Sequence, residues 1–499
     1  MSEVQEPQLK PKKCGCFRGC IITVLVLALP FWWFCIHPAP LRISEETTYV
    51  LGPVTAAGYI DYFKALEERN YPPEMKTDEN GYRLFIRQFG LIDPYLPSEN
   101  YEFYRLQTYE KLGLDPDVST TLTLPDLPVK IFTDFYEAKG EEIPERFFPV
   151  SEYSGRAKTV PGIFWQQPWT LEEYPMLADW VNEIDKPLDA LAEAVSKPVF
   201  FMPLLDTPES VQSGVPTDMV EFRLWGIQAL RTAAGLFQAR AMYRIAHGDI
   251  DGAINDKLTL YRLGRQITQK TCVVQYLVGI AIEGMGSKIP VCGSAEHPPT
   301  KEQIQRVLDG LDALPPRGLL HDGYEFDRFM VLDILRRIRL GRDLRDYKIL
   351  IPVGGDSDEH SKRKRDISDV FLRAYCDSCD WNVVYRRINE LYDSLQKLPA
   401  EEFDTIIENL HRQNQWNFVF RAFTAKGRGY TLGNMLADTF VLAVVAINEA
   451  QRRTECTENL QRLTLALLLY EKEHGSLPEG DWREAVKPYL GDDAEKCFR

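Results

Sequence analysis

Apolar residues recur three or four positions apart from Phe222 to Ile267, which is the spacing of one face of an α-helix. His247-Gly248-Asp249 interrupts this stripe, so the segment predicts two helices joined by a tight turn. A further run, from Cys272 to Met285, is apolar on nearly all sides, and we expect it to lie inside the others. The pattern therefore predicts a helical hairpin followed by a central helix.

Helical patterns continue on both sides of this segment. Thr170 with Glu173, and Thr300 with Gln303, have the spacing of capping boxes. The first box predicts a helix over 171–182, and the pattern resumes in a short helix over 187–196. Residues 432–474 are predicted to form one long helix or two. We therefore expect a mainly α fold: a stacked-helix body with a proline-rich, mixed N-terminal part.

The N-terminal region contains an uncharged apolar run, residues 20–36, which would be about 26 Å long as a helix. Basic residues precede it, and Trp32 and Trp33 lie near its far end, as is typical of a transmembrane helix with a cytoplasmic N-terminus. A cleaved signal peptide is the alternative, but no small-x-small cleavage site closely follows the run. We therefore expect an uncleaved, single-pass signal anchor and an extracytoplasmic body.

The predicted organisation has six parts. They are a basic cytoplasmic tail (1–19), the anchor (20–36), a proline-rich, mostly helical region (43–217), a central helical domain (218–350), a charged flexible loop (351–368) and a C-terminal helical region (369–499).

The charge of the chain excludes one class of partner. The net charge is −15, and residues 1–42 contribute +3, so the body is strongly acidic. General nucleic-acid binding needs a basic surface that replaces phosphate counterions, and we predict no nucleic-acid partner.

The cysteines beyond the anchor are even in number, which permits three disulfides without deciding among fifteen pairings. Cys376 and Cys379 have the spacing of a thioredoxin-type redox pair, but no βαβ pattern surrounds them. They are expected to be a short-loop disulfide or a pair of buried thiols.

Candidate catalytic residues are few. His321, Asp322, Glu325 and Asp327 cluster before a predicted helix. An enzyme hypothesis would first test His321, Asp322 and Glu325, together with His411. A capped, solvated helix start is the preferred explanation of the cluster. The sequence contains no nucleophile elbow, dinucleotide fingerprint or phosphate loop, and it predicts no cofactor and no metal site.

Three resemblances add context. The pattern of residues 239–267 resembles a tetratricopeptide-type hairpin, and residues 463–490 resemble the segment after the long helix of major pseudopilins of type II secretion. The chain lacks the prepilin N-terminus, so pilus assembly does not follow. Short pieces at 46–50, 58–62, 186–188 and 278–282 resemble uncharacterised, membrane-anchored envelope proteins of planctomycete-like bacteria. That resemblance implies an envelope setting and no particular activity.

The leading hypothesis is a membrane-anchored binding or scaffolding module whose hairpins contact a peptide or protein partner at 222–290. An envelope enzyme, such as a hydrolase with a site assembled from distant residues, is one alternative. A structural envelope component is the other.

Overall fold

The structure is a computed structural model of the full chain. It describes residues 28, 38–141, 167–269, 272–290, 296–318, 320–340, 373–397, 423–491 and 494–498, without the side chains of 320, 321 and 438–446. The predicted anchor, apart from residue 28, the charged loop and His411 lie outside these ranges.

The described chain is mainly α-helical, as the sequence predicts, and its extended segments pair only as two isolated bridges. The helices are α1 (Tyr62–Asn70), α2 (Gly81–Phe89), α3 (Tyr101–Leu112), α4 (Val129–Lys139), α5 (Ala178–Val195), α6 (Pro208–Ser213), α7 (Ile227–Ala246), α8 (Ile250–Ile267), α9 (Val273–Ser287), α10 (Lys301–Asp312), α11 (Leu320–Arg339), α12 (Trp381–Lys397), α13 (Ala425–His474), α14 (Trp482–Leu490) and α15 (Ala494–Cys497).

The chain divides into two compact units. The described residues of Met1–Leu51 and Ile334–Leu442 form the smaller unit, and those of Gly52–Asp333 and Ala443–Arg499 form the larger one.

In the smaller unit, two asparagines of α12 hold the segment around residues 40–48. Asn382 Oδ1 accepts from the backbone N–H of Arg42 at 2.8 Å, and its Nδ2 donates to the carbonyl of Pro40 at 3.0 Å. Two helical turns further along α12, Asn389 Nδ2 donates to the carbonyl of Thr47 at 2.7 Å. Since these bonds fix backbone groups, they tie the segment to α12 whatever its side chains are.

In the larger unit, α7 and α8 pack against each other across the predicted turn, so the hairpin prediction is confirmed. Asp249 caps α8 by accepting from the backbone N–H of Gly252 at 2.9 Å. The same core includes residues of α2, α5 and α10.

The prediction that the third helix lies inside the others is wrong. Val274 and Leu277 of α9 are 63% and 36% exposed, whereas α7 is the most enclosed helix of the three. The reason is that α9 approaches α8 through glycines: a Cβ on Gly279 would lie 2.7 Å from the carbonyl oxygen of Gly264. Ile282 of α9 is fully buried in the core, while Val274 and Leu277 lie on the exposed side of the helix.

The predicted break within residues 171–196 is also wrong. Thr170 and Glu173 do exchange capping hydrogen bonds, but a 3-10 turn at Pro175–Leu177 follows, and α5 then runs unbroken through Pro187. Proline removes a single helical hydrogen bond, and the buried face of α5 continues on both sides of it. The second capping box, Thr300 with Gln303, opens α10 as predicted.

The sequence predicts that residues 432–474 form one long helix or two. They lie in a single helix, α13, which has 50 residues. Within the described ranges, no helix combines the length and the apolar character that crossing a bilayer requires.

Candidate functional site

An open cleft of about 710 Å³ lies in the larger unit. Its walls come from α8, α10, the segment after α10, the C-terminal half of α13 and α14. We call it the ion-pair cleft, because arginines and carboxylates form its floor.

The ion pairs of this cleft are centred on Glu283 of α9, which is fully buried and contacts two of the lining arginines. Arg317 donates to both of its oxygens, from Nη2 to Oε2 at 2.6 Å and from Nε to Oε1 at 3.1 Å. Arg265 donates from Nε to Oε2 at 3.2 Å. A buried carboxylate is costly unless it is paired and hydrogen-bonded, and both conditions are met here.

Glu458 of α13 extends this network towards the cleft. Its Oε2 accepts from Nη2 of Arg265 at 2.5 Å and from Nη2 of Arg317 at 3.2 Å. Arg462, one turn further along α13, pairs with Asp312 at the end of α10 and lies 3.5 Å from Glu458 Oε1. The network thus joins α8, α9, α10 and α13 across the cleft floor.

Local sequence explains how Arg317 reaches this place. Pro315 and Pro316 follow the end of α10, and the carbonyl of Pro315 accepts from Nη1 of Arg265 at 3.2 Å. Gly318 follows Arg317, and its backbone N–H donates to Oγ1 of Thr268 at 2.9 Å. A Cβ on Gly318 would lie 1.9 Å from the carbonyl oxygen of Thr268, so only glycine fits there.

The pairing fixes the charges of the cleft. Burial acts to raise the pKa of Glu458, but the guanidinium groups of Arg265, Arg317 and Arg462 outweigh burial and hold the pKa below its usual value. The pKa of Arg317 is raised, because Glu283 and Glu458 outweigh the opposing effect of burial. Both groups therefore stay charged at neutral pH and are unsuited to proton transfer there.

Residues 446–490 match one protein-family model. It is SBP_bac_10, described as a protein of unknown function (DUF1559). The matched segment supplies one wall of the ion-pair cleft, including Glu458, Arg462 and Tyr489. No curated protein and no solved structure matches the chain.

Of the residues that the sequence suggests for catalysis, Asp322 and Glu325 do not line this cleft. Glu325 forms an ion pair with Arg69 at 2.6 Å, and Asp322, three residues before it, is half-buried. The side chains of His321 and His411 lie outside the described part of the structure.

Asp327, two residues after Glu325, is electrostatically unusual. Burial raises its pKa to about 7, although the backbone N–H of Val273 acts in the opposite direction. Perturbed carboxylates are frequent at catalytic sites, but catalysis also needs a second group within reach.

Cys376 and Cys379 are free, buried thiols, and Cys456 is free and exposed, while Cys272 and Cys497 are buried. Of the two forms expected for the Cys376–Cys379 pair, the structure shows the thiols. Burial raises the pKa of Cys376 to about 11 and that of Cys379 to about 12, the latter with help from Cys376. Thiolates are the reactive form, so these environments favour inert thiols.

No three His, Cys, Asp or Glu residues come close enough to hold a metal ion in the part of the chain that the structure describes.

Sequence reasoning missed the ion-pair cleft. Arg265 and Glu458 are 193 positions apart, and Glu283 and Arg317 are 34 apart. The one available signal was a lone glutamate, Glu283, inside the otherwise apolar run of α9.

Proposed function

We propose that the chain is a membrane-anchored envelope binding module that takes a segment of a peptide or protein partner in the ion-pair cleft. Residues 20–36 would anchor it with the N-terminus in the cytoplasm and the body outside. Part of the cleft comes from the hairpin region, since Arg265 lies on α8.

The observation that carries the proposal is the combination of an open cleft and a floor of paired charges. A volume of about 710 Å³ lies in the range of ligand-binding clefts. The rigid network below it fixes where Arg317 and Glu458 are presented. Such preorganised polar groups give orientation and specificity to a bound segment.

Binding fits this site better than catalysis does. The cleft lining that the structure describes contains no histidine, cysteine or serine. Its buried carboxylate, Glu458, has a lowered pKa and is held by three arginines, so it is a poor general acid or base at neutral pH.

One observation favours the enzyme alternative. The pKa of Asp327 is raised to about 7, which suits a general base. An enzyme of this kind would use Asp327 as its base, and it would lose its activity in Asp327→Asn.

Site-specific photocrosslinking in cells tests the binding proposal. The crosslinking residue replaces Gln305 or Lys496, which line the cleft, or Glu172, which is exposed elsewhere on the larger unit. We expect both cleft positions to capture the same envelope protein and position 172 to miss it. Equal capture at all three positions, or capture of scattered neighbours, would contradict the proposal and favour a structural component.

A second arm tests the anchor. Full-length protein should fractionate with membranes, and a form lacking residues 20–36 should not. Membrane fractionation of both forms alike would contradict the anchor without bearing on the cleft.

A further inference from the structure

A second cleft, of about 440 Å³, lies beside the hairpin and shares none of its lining residues with the ion-pair cleft. It is formed by α5, α7, α8 and one glycine of α10. We call it the Arg262 cleft.

Two of the three arginines that line the Arg262 cleft already form ion pairs with aspartates. Arg240 donates to Asp256 from Nη2 at 2.6 Å and to Asp189 from Nη1 at 2.9 Å. Arg244 donates from Nη1 to Asp256 at 2.9 Å. These pairs form the back of the cleft and leave little positive charge for a ligand.

Arg262 differs from both. It is half-buried on α8, and it has no ion pair or hydrogen bond among the described residues. A guanidinium group carries five hydrogen-bond donors in a planar arrangement that matches a carboxylate. In Arg262 these donors have no acceptor among the described residues.

Two polar side chains stand in line with Arg262. Asn255, Thr259 and Arg262 have the i, i+4, i+7 spacing of one helix face, and all three line the cleft. The row is about 10 Å long, which is the length of about three residues of extended chain.

The row offers complementary groups for a peptide backbone. Asn255 Oδ1 accepts from Arg306, which leaves its Nδ2 as a donor for a ligand. Thr259 Oγ1 donates to the carbonyl of Asn255 at 2.8 Å, which leaves its lone pairs to accept a peptide N–H.

We propose that the Arg262 cleft binds a short extended peptide through a carboxylate, with Arg262 pairing the carboxylate and Asn255 and Thr259 contacting the backbone. A carboxylate fits better than a phosphate, because Asp189 and Asp256 line the same cleft and would repel a dianion. The carboxylate can come from a C-terminus or from an acidic side chain.

Saturation-transfer NMR on the full-length protein in mild detergent tests this, since the method detects weak ligands of large proteins. The probes are acetyl-Ala-Ala-Ala with a free C-terminus, its C-terminal amide, and acetyl-Ala-Asp-Ala amide. We expect a signal from one or both carboxylate peptides and none from the uncharged amide. Which of the two carboxylate peptides binds identifies the source of the carboxylate.

The variants are Arg262→Gln and the matched control Arg452→Gln, which removes the same charge from an exposed position on α13. Arg262→Gln should weaken binding by about tenfold or more, and Arg452→Gln should leave it unchanged. Arg262→Lys keeps the charge without the fork and should fall between them.

Three results would overturn the proposal. They are equal signals from the acid and the uncharged amide, binding that survives in folded Arg262→Gln, and no signal from either carboxylate peptide. Displacement of the peptide by inorganic phosphate more readily than by acetate would overturn the choice of carboxylate.

Discussion

Arg317 holds both carboxylate oxygens of Glu283, with Nη2 2.6 Å from Oε2 and Nε 3.1 Å from Oε1. Glu283 is fully buried, so the geometry is that of a bidentate pair shielded from water. This contact sits under the ion-pair cleft and joins the segment after α10 to α9.

Replacing Glu283 by glutamine should destabilise the protein by about 3 kcal/mol, because Arg265 and Arg317 would lose the charge that compensates their burial. Urea unfolding followed by circular dichroism measures the change. Glu449→Gln is the matched control, since the Glu449–Arg453 pair is exposed and should contribute little. Equal losses in the two variants would contradict a structural role for the buried pair.

Two glycines of α9, Gly279 and Gly284, predict opposite effects of an alanine substitution on stability. Gly279→Ala places a methyl group 2.7 Å from the carbonyl oxygen of Gly264 and should destabilise the fold by about 1–3 kcal/mol. Gly284→Ala, on the same helix, meets nothing within 4 Å and should stabilise it by up to about 1 kcal/mol. Thermal unfolding of both variants checks the contrast. A stabilised Gly279→Ala would show that the helices are further apart.

The raised pKa of Asp327 predicts a pH dependence of stability. A carboxyl group whose pKa is 3.8 when unfolded and about 7 when folded stabilises the fold fully below 3.8, and this contribution is lost as the pH rises through 7. Asp327→Asn does not titrate. Its stability relative to wild type should therefore rise by on the order of 2 kcal/mol between about pH 5 and about pH 8.

Urea unfolding of wild type and Asp327→Asn at the two pH values measures this difference, in which the titration of all other groups cancels. A difference that stays constant with pH would show that Asp327 is not shielded from water.

The cysteine environments predict an order of alkylation. Cys456 is exposed, whereas Cys376 and Cys379 are buried with raised pKa values. In native protein treated with N-ethylmaleimide at neutral pH, peptide mass spectrometry should find Cys456 modified first. In urea, all three should react alike. Rapid native labelling of Cys376 would point instead to a reactive thiol pair.

The sequence predicts those parts of the fold that depend on neighbouring residues. The apolar spacing of α7 and α8 and the capping box at Thr300 act within one or two helical turns, so they can be read along the chain. The run after Cys272 was placed wrongly, because hydrophobicity does not reveal that Gly279 would form the contact face and Val274 the exposed one.

The candidate sites could not be predicted in this way. The ion-pair cleft depends on Arg265 meeting Glu458, and the Arg262 cleft depends on Arg240 and Arg244 being occupied by aspartates while Arg262 is not. Which charges pair is decided by tertiary packing, and one arginine looks like another in the sequence.

The pairing of charges in the ion-pair cleft also affects the kinetics of partner binding. The charged side chains at the cleft and directly beneath it balance: four are positive and four negative, namely Arg265, Arg317, Arg462, Lys496, Glu283, Asp312, Glu455 and Glu458. Because these charges nearly cancel, the cleft itself adds little to the field of the acidic body and does not steer the encounter with a partner. The dependence of association on ionic strength should therefore reflect the charge of the whole body, and selectivity for the correct segment would come from its slow dissociation from the cleft.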